Sequence, residues 1–594
     1  MEQRRIALTV LEDKQTNSVV FTESNPCIGY AGEHLATILG FNLPENWLNQ
    51  SAKYQICFRT SDGKCYSTDL LDIAELALPS GIMIAGTMYV QVLATDSDGT
   101  IIKKTEVCKC TVGKSIADGE VIANYDGVKL VSQLTDELQA AIDAAAEAKE
   151  SLMAAIAEGN IADLQAFVGY TSDDILGLQV DFENKRFTRL AGASGLTPGK
   201  GFDGFEMFGG RKRCNVLDDG TITAYFGDEN YAEDGSNGQV MVYQPAFYYK
   251  VVPVAYEKNK ASGTGYHLRK VNYYISARAH NGFKLHPAFF DSNGNEIDYI
   301  LYSAYEGCLY SNHHYVNDNA ETSAELDLTT DLICSLAGRK PISGLYKPMT
   351  RTNLEALCQN RGTGWHLETI KSVAANQLLM IVEYATMNLQ SAVGQGVVSI
   401  PDNDSCNCAS MTGSTSALGN ATGEAAETVN EINGTKTTYT TSGKLAITYR
   451  GIENPWGNMW RFVNGINIYG DGTMSGGQAC VCDNYDFADS AADNYKNVSF
   501  TLAATSGFTN AMGYGGDDYD WLLLGSEGGG TSALPVGDYI WVAGNLNGYR
   551  TLQIGGNWRN SGNAGPFCCR CNYTTSYNNR EYGGRLLYVP TAVN

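Results

Sequence analysis

Residues 555–586 read GGNWRNSGNAGPFCCRCNYTTSYNNREYGGRL. The two ends have the character of framework: Gly555, Gly556, Gly583 and Gly584 suit tight backbone positions, and Trp558 is a large anchor that favours burial. The run between them, Phe567 to Asn579, follows neither the alternation of a strand nor the spacing of an amphipathic helix. Each of its residues has a codon ending in C that differs from the asparagine codon AAC only at the two adenines. Lys, Glu, Gln, Met and Trp have no such codon, and none occurs in the run. A polar surface loop accounts for part of this bias, since turns favour Asn, Ser and Thr. It does not account for Cys568, Cys569 and Cys571 in quick succession after Phe567.

Upstream, Asn454-Pro455-Trp456-Gly457-Asn458-Met459-Trp460-Arg461-Phe462 precedes Gly555-Gly556-Asn557-Trp558, which precedes Gly583-Gly584-Arg585-Leu586. This order resembles the formylglycine-generating-enzyme type of C-type lectin fold, with its GN-x-W-x-(W/F), GG-(S/N)-W and terminal G-(F/G)-R stretches. More closely, it resembles the variable proteins of diversity-generating retroelements, in which the segment between the last two motifs is rewritten by adenine-directed mutagenesis. Phage tail fibres carry trimeric members of that family. The resemblance spans roughly 179–594, and its specific motifs all fall from Asn454 onward.

The resemblance implies a framework of Trp460, Trp558, Gly583 and Arg585, with Arg585 satisfying buried carbonyls or a carboxylate. It also implies an exposed ligand-binding face within a variable region at about 545–586. The face would comprise Asn545, Asn547, Tyr549, Arg559, Ser561, Phe567, Cys568, Cys569, Cys571, Tyr573 and Tyr577. Tyr, Ser and Asn suit such a role because they give adaptable contacts at low entropic cost. The implied function is host adhesion by a phage tail receptor-binding protein, a virion component made in the host cytoplasm. Its expected partner is a host-surface protein or glycan.

An enzyme on this fold is the competing reading. Oxygenase relatives need active-site cysteines or an iron-binding histidine set, and no histidine follows His366. Cys480, Cys482 and the 568–571 cysteines could hold copper, but the latter fall where the family diversifies. A tail-associated polysaccharide depolymerase would need two carboxylates at a defined separation, for which Asp517, Asp518 and Asp520 are candidates. The same run lacks the spacing of a calcium loop and reads as a solvated acidic turn. The CxC pairs 108/110, 406/408 and 480/482 lack the usual spacing of zinc ligands. The expectation is a protein without catalysis, cofactor or metal. A cellular retroelement-diversified surface protein is a further alternative, disfavoured by Met1-Glu2-Gln3-Arg4-Arg5 leading into no signal-peptide pattern.

Composition narrows the partners. A net charge of −23 without a Lys/Arg cluster excludes nucleic acid as the main ligand, and no apolar run is long enough to insert in a membrane. The 64 glycines and 35 tyrosines suit a strand-rich, loop-rich chain.

A multidomain chain is expected from its length. Residues 1–112 read as a β sandwich: 6–11, 53–58 and 88–93 are strand-like, and Asp62-Gly63 and Asp98-Gly99 are turn signals. By pattern this module loosely resembles the N-terminal domain of siphophage baseplate upper proteins, which implies attachment to other tail or baseplate proteins. Residues 113–178 read as linker and stalk. Val131, Leu134, Leu138, Ala141, Ala145, Ala148, Leu152 and Ala155 keep coiled-coil spacing and predict a helical stalk that trimerises the chain. Residues 179–594 are expected to form an α+β C-type-lectin-like head. Helices are predicted from Thr352 to Gln359, capped by Thr352 or Asn353, and from Glu368 to Asn388. Residues 405–441 read as a surface insertion.

Overall fold

The computed structural model describes residues 4–13, 18–31, 36–48, 53–96, 100–113, 128–130, 170, 172–321, 325–473, 476–490, 494–544 and 546–592. The chain divides into two units, Met1–Glu158 and Gly159–Asn594.

In the first unit, Arg4–Asp13 pairs in parallel with Thr37–Asn42 and antiparallel with Ser18–Phe21, and Glu75–Ala77 completes a four-stranded sheet. A second sheet is centred on Lys53–Arg59, Gly86–Thr95 and Cys108–Gly113. Lys53–Arg59 shows why a strand forms there: Tyr54, Ile56 and Phe58 are buried while their neighbours are not, the period of two that a half-buried strand requires. Leu8 and Leu39 of the first sheet share one core with Ile56, Phe58, Met88 and Val90 of the second, so the sheets lie face to face. Cys108 and Cys110 point into this core with their sulfurs 3.7 Å apart.

The second unit is built on a large sheet. Its continuous path runs Arg186–Ala191, Leu176–Asp181, Tyr266–Ser276, Gly507–Tyr514, Tyr539–Trp541, Gly565–Arg570, Asn547–Gly555, Trp460–Asp471, Gln478–Cys482 and Tyr495–Thr501. A six-stranded sheet, including Lys212–Val216, Gln239–Pro245 and Tyr299–Ser303, also takes the C-terminal strand Leu586–Tyr588. The helix Ile370–Tyr384 begins at a capping box between Thr369 and Ser372 and is buried along most of its length.

Three expectations need correction. Described residues are 41% strand and 10% helix, with five α-helices, and no coiled-coil stalk is among them. The positions 131–158 that carried that expectation lie outside the described residues. The 352–359 helix starts at Arg351 and is capped by Thr350, whose hydroxyl accepts from Asn353 N at 3.2 Å, while Asn353 Nδ2 donates to Pro348 O at 2.6 Å. Residues 405–441 are not a surface insertion throughout. Cys406, Cys408, Ala409 and Ala425 form a small core with Trp558, flanked by the hairpin Thr428–Ile432 and Thr435–Tyr439. The Ser, Thr and Asn content of that segment is used in buried hydrogen bonds, such as Asn407 to Pro341 O at 2.8 Å and Asn430 to Cys408 O at 2.9 Å.

Candidate binding face

The segment 454–458 turns at three positions of unusual backbone. Asn454, Gly457 and Asn458 all have positive φ (47°, 77° and 57°), which Gly and Asn tolerate best. Both asparagine amides donate to the buried Glu306 carboxylate, and Asn458 Oδ1 accepts from Ser410 N at 2.7 Å. Arg585 donates to the carbonyls of Glu453 and Asn454. Arg461 holds Glu368 through both oxygens at 2.9 and 2.8 Å. Trp460 and Trp558 are completely buried, Trp558 donating to Asp402 Oδ1 at 3.0 Å. Burial pushes the Glu306 and Glu453 carboxyls up and the Arg585 guanidinium down to about 10.

On this frame, residues 565–569 and 571 are core. Phe567, Cys568, Cys569 and Cys571 are 4%, 0%, 2% and 1% exposed. The expectation that they face solvent is therefore wrong. Gly565–Arg570 is an interior strand between Tyr539–Trp541 and Asn547–Gly555, with side chains buried on both faces. Phe567 and Cys569 enter one hydrophobic cluster and Cys568 another. Strands covered on both sides lose the alternation that would have marked them. Asp538 pins the strand, accepting from Phe567 N at 2.7 Å, and burial pushes its carboxyl well up.

Half-exposed aromatic side chains lie along one face of the sheet. Directly paired residues share a face. Phe508 pairs with Tyr539, Trp541 with Arg570, Arg570 with Gln553, and Tyr549 with Tyr469. Ile540, Cys569 and Ile554 take the opposite, buried face. The Arg570 guanidinium carbon lies 4.9 Å from the Trp541 ring centre, 5.0 Å from Trp460 and 5.5 Å from Tyr573, and Nη1 donates to the Tyr582 hydroxyl at 2.6 Å.

Residues 572–579 then cross this face as a loop. Tyr573 and Tyr577 stack with ring centres 3.7 Å apart and planes 5° from parallel. Both meet Tyr582 edge-on, at 6.0 and 5.2 Å. Burial against this group pushes the Tyr577 hydroxyl up to about 12. Thr574, Ser576 and Asn579 are exposed. The loop is tied down by Thr551 N to Tyr573 O at 3.1 Å and Gly344 N to Asn579 O at 3.0 Å. A Cβ at Gly344 would stand 2.6 Å from Asn579 N, so the close approach requires glycine.

A charged clamp follows. Asp402 accepts from Arg580 Nη1 at 2.8 Å, from Arg580 Nη2 at 2.9 Å and from Arg559 Nη1 at 2.9 Å. Arg559 also pairs with Glu581. Arg580, with Trp558 and Arg559, holds the Asp402 carboxyl well below the usual carboxylate range.

Of the residues expected on the face, Tyr573 and Tyr577 come together, with Tyr549 two positions from the strand residue that Tyr573 contacts. Arg559 is exposed and joined to them through Glu581, which lies 3.9 Å from Arg570. Asn547 is exposed at the far end of its strand, and Ser561 is exposed with Val398 and Gln390, not the tyrosines, as hydrogen-bond neighbours. Asn545 lies outside the described residues. Sequence reasoning missed Trp541, Tyr539, Phe508 and Asp402. Tyr539 and Trp541 sit in a three-residue strand too short to show a period, Phe508 lies at the start of the strand Gly507–Tyr514, and Asp402 precedes a segment read as an insertion. Asp520, offered as a catalytic or calcium carboxylate, instead takes Lys284 Nζ at 2.9 Å and the Tyr249 hydroxyl at 2.8 Å. Among the described residues no three His, Cys, Asp or Glu side chains converge as a metal site, and no helix is long and apolar enough to cross a membrane.

No family model and no curated protein matches the chain. Among solved structures it is coarsely similar to three Major Tropism Determinant variants. The P3c variant is 12% identical with a TM-score of 0.21, the U1 variant 13% with 0.22, and the M1 variant 13% with 0.21. Each match covers 66% of this chain and 73% of the other.

Proposed function

We propose that this chain is a phage tail receptor-binding protein, and that the loop 572–579, with Trp541, Tyr549 and Arg559 at its margins, takes the host ligand. One observation carries the reading: Tyr573 and Tyr577 are stacked flat and half-exposed on a buried frame cross-linked by Arg461 to Glu368 and by Asn454 and Asn458 to Glu306. Pre-organised aromatic side chains dominate binding energies because they offer large contact area with few rotors. The order of motifs from Asn454 to Leu586 supports the same reading, since it resembles retroelement-diversified variable proteins. Diversification would then be tolerated at 572–579, where side chains leave the frame intact, and resisted at 567–569 and 571, where they fill the core. Residues 1–112 are proposed as the module that joins other tail or baseplate proteins.

The test is a Tyr573→Ser/Tyr577→Ser double variant of the full chain. Adsorption to host cells should fall by about tenfold or more, since hot-spot truncations reach 2 kcal/mol, while the melting temperature drops only a few degrees. Unchanged adsorption with an intact fold would place recognition elsewhere.

A further inference from the structure

A separate pocket of the second unit points to another ligand. The strands Cys308–Ser311 and His314–Tyr315 are joined through Asn312 and His313, both at positive φ (48° and 66°). A two-residue hairpin turn of this kind favours Asn followed by Gly, and histidine at the second position is strained. His313 is nevertheless there, exposed, at the edge of a 640 Å³ pocket. Strain kept at one surface residue is a feature of functional sites.

Arg339 lines the same pocket. Its guanidinium carbon lies 4.0 Å from the centre of the Tyr315 ring, and Tyr310 packs on Tyr315 with centres 5.0 Å apart. Among the described residues this guanidinium has no ion pair and no hydrogen bond, and its Nε is buried without a partner. Nearby acids form no ion pair with it among the described residues. Asp234, whose charge Arg339 influences, accepts through Oδ1 from Ser236 N at 2.9 Å and Ser236 Oγ at 2.6 Å. Glu321 accepts from His314 and from Asn317 N, both at 2.7 Å. Asp218 is taken by Arg361 at 2.5 Å, and Arg361 is further held by Ile333 O at 2.6 Å. Gln239 uses Oε1 to accept from Ser335 N at 2.9 Å, so its amide donors remain for a ligand.

On a chain with net charge −23, an uncommitted guanidinium braced against an aromatic ring is a ready partner for a carboxylate. The volume and the polar groups around it suit one or two sugar rings. We propose that this pocket binds a carboxylate-bearing saccharide, with Arg339 holding the acid and Gln239, His313 and Tyr310 hydrogen-bonding the hydroxyls. Nothing in it depends on residues 572–579, so each site can fail without the other.

The test titrates the full chain with D-glucuronate, N-acetylneuraminate, D-glucose and inorganic phosphate, following ligand signals by saturation-transfer NMR. At least one sugar acid should bind, with glucose and phosphate roughly tenfold weaker or more, and Arg339→Gln should lose about tenfold of that affinity. His313→Gly should weaken binding while keeping or raising the melting temperature, because glycine relieves the positive-φ strain. Failure of both acids to bind, phosphate binding as tightly as the acids, or unchanged affinity in folded Arg339→Gln overturns the proposal. A lower melting temperature for His313→Gly overturns the strain argument on which it partly rests.

Discussion

Asp520 shows how burial and a neighbouring charge compete at one residue. Lys284 and Tyr249 both bond its carboxylate, yet burial dominates and raises it to about 6. The folded-state value lies above the unfolded one of about 3.9, so the folded protein binds this proton more tightly. Its contribution to stability is complete below about pH 4 and is lost as the pH rises through 6. In denaturant titrations across that window, the parent should lose on the order of 2–3 kcal/mol more than Asp520→Asn. Parallel pH profiles would show that the carboxyl titrates normally. Phe567 gives a second test at this scale. Phe567→Ala should cost about 3–5 kcal/mol as a large core truncation, whereas Tyr577→Ser, at a half-exposed ring, should cost roughly 1–2. Equal losses would contradict the division between core strand and surface loop.

At the scale of elements, the Gly565–Arg570 strand and the 572–579 loop are adjacent in sequence but held by different forces. The strand is held by ladder bonds and two hydrophobic clusters, the loop by a few backbone bonds, the tyrosine stack and the clamp beyond it. Asp402→Ala removes the acceptor shared by Arg580, Arg559 and Trp558 and leaves two guanidinium groups underpaired. Hydrogen exchange should then accelerate roughly tenfold or more across 572–580 while 565–570 stays protected. Matching increases in both segments would mean that the clamp supports the sheet and not the loop. Acid should act like the substitution. Arg580 depresses the Asp402 carboxyl, so the clamp's contribution is present above the unfolded value and lost as the pH falls below it.

For the whole molecule, the two units each have a core of their own. Scanning calorimetry of the full chain should therefore resolve two transitions, one of which recurs when residues 159–594 are expressed alone. A shortened chain that melts without cooperativity would show that the second unit depends on the first. The stalk expected from 131–158 has no part in this prediction.

Local pattern made much of the scaffold legible. Strand-like runs marked 53–58 and 88–93, the proline turn and apolar residues marked the two longer helices within a few residues while misplacing the cap of the first, and the spaced Trp, Gly and Arg motifs marked the frame around Trp460, Trp558 and Arg585. Those features depend on neighbours in sequence, or on residues so large or so permissive that few environments suit them. The candidate face was only half legible. Of the residues that the family resemblance put on the face, Tyr573, Tyr577 and Arg559 reach solvent at least in part, but the resemblance could not separate them from Phe567, Cys568, Cys569 and Cys571, which are buried. Which of these residues meets solvent is set by the strands at 539–541 and 547–555, which cover 565–570 on both edges, and by packing on both faces. Burial is a property of non-local partners, and only the tertiary structure brings those partners together.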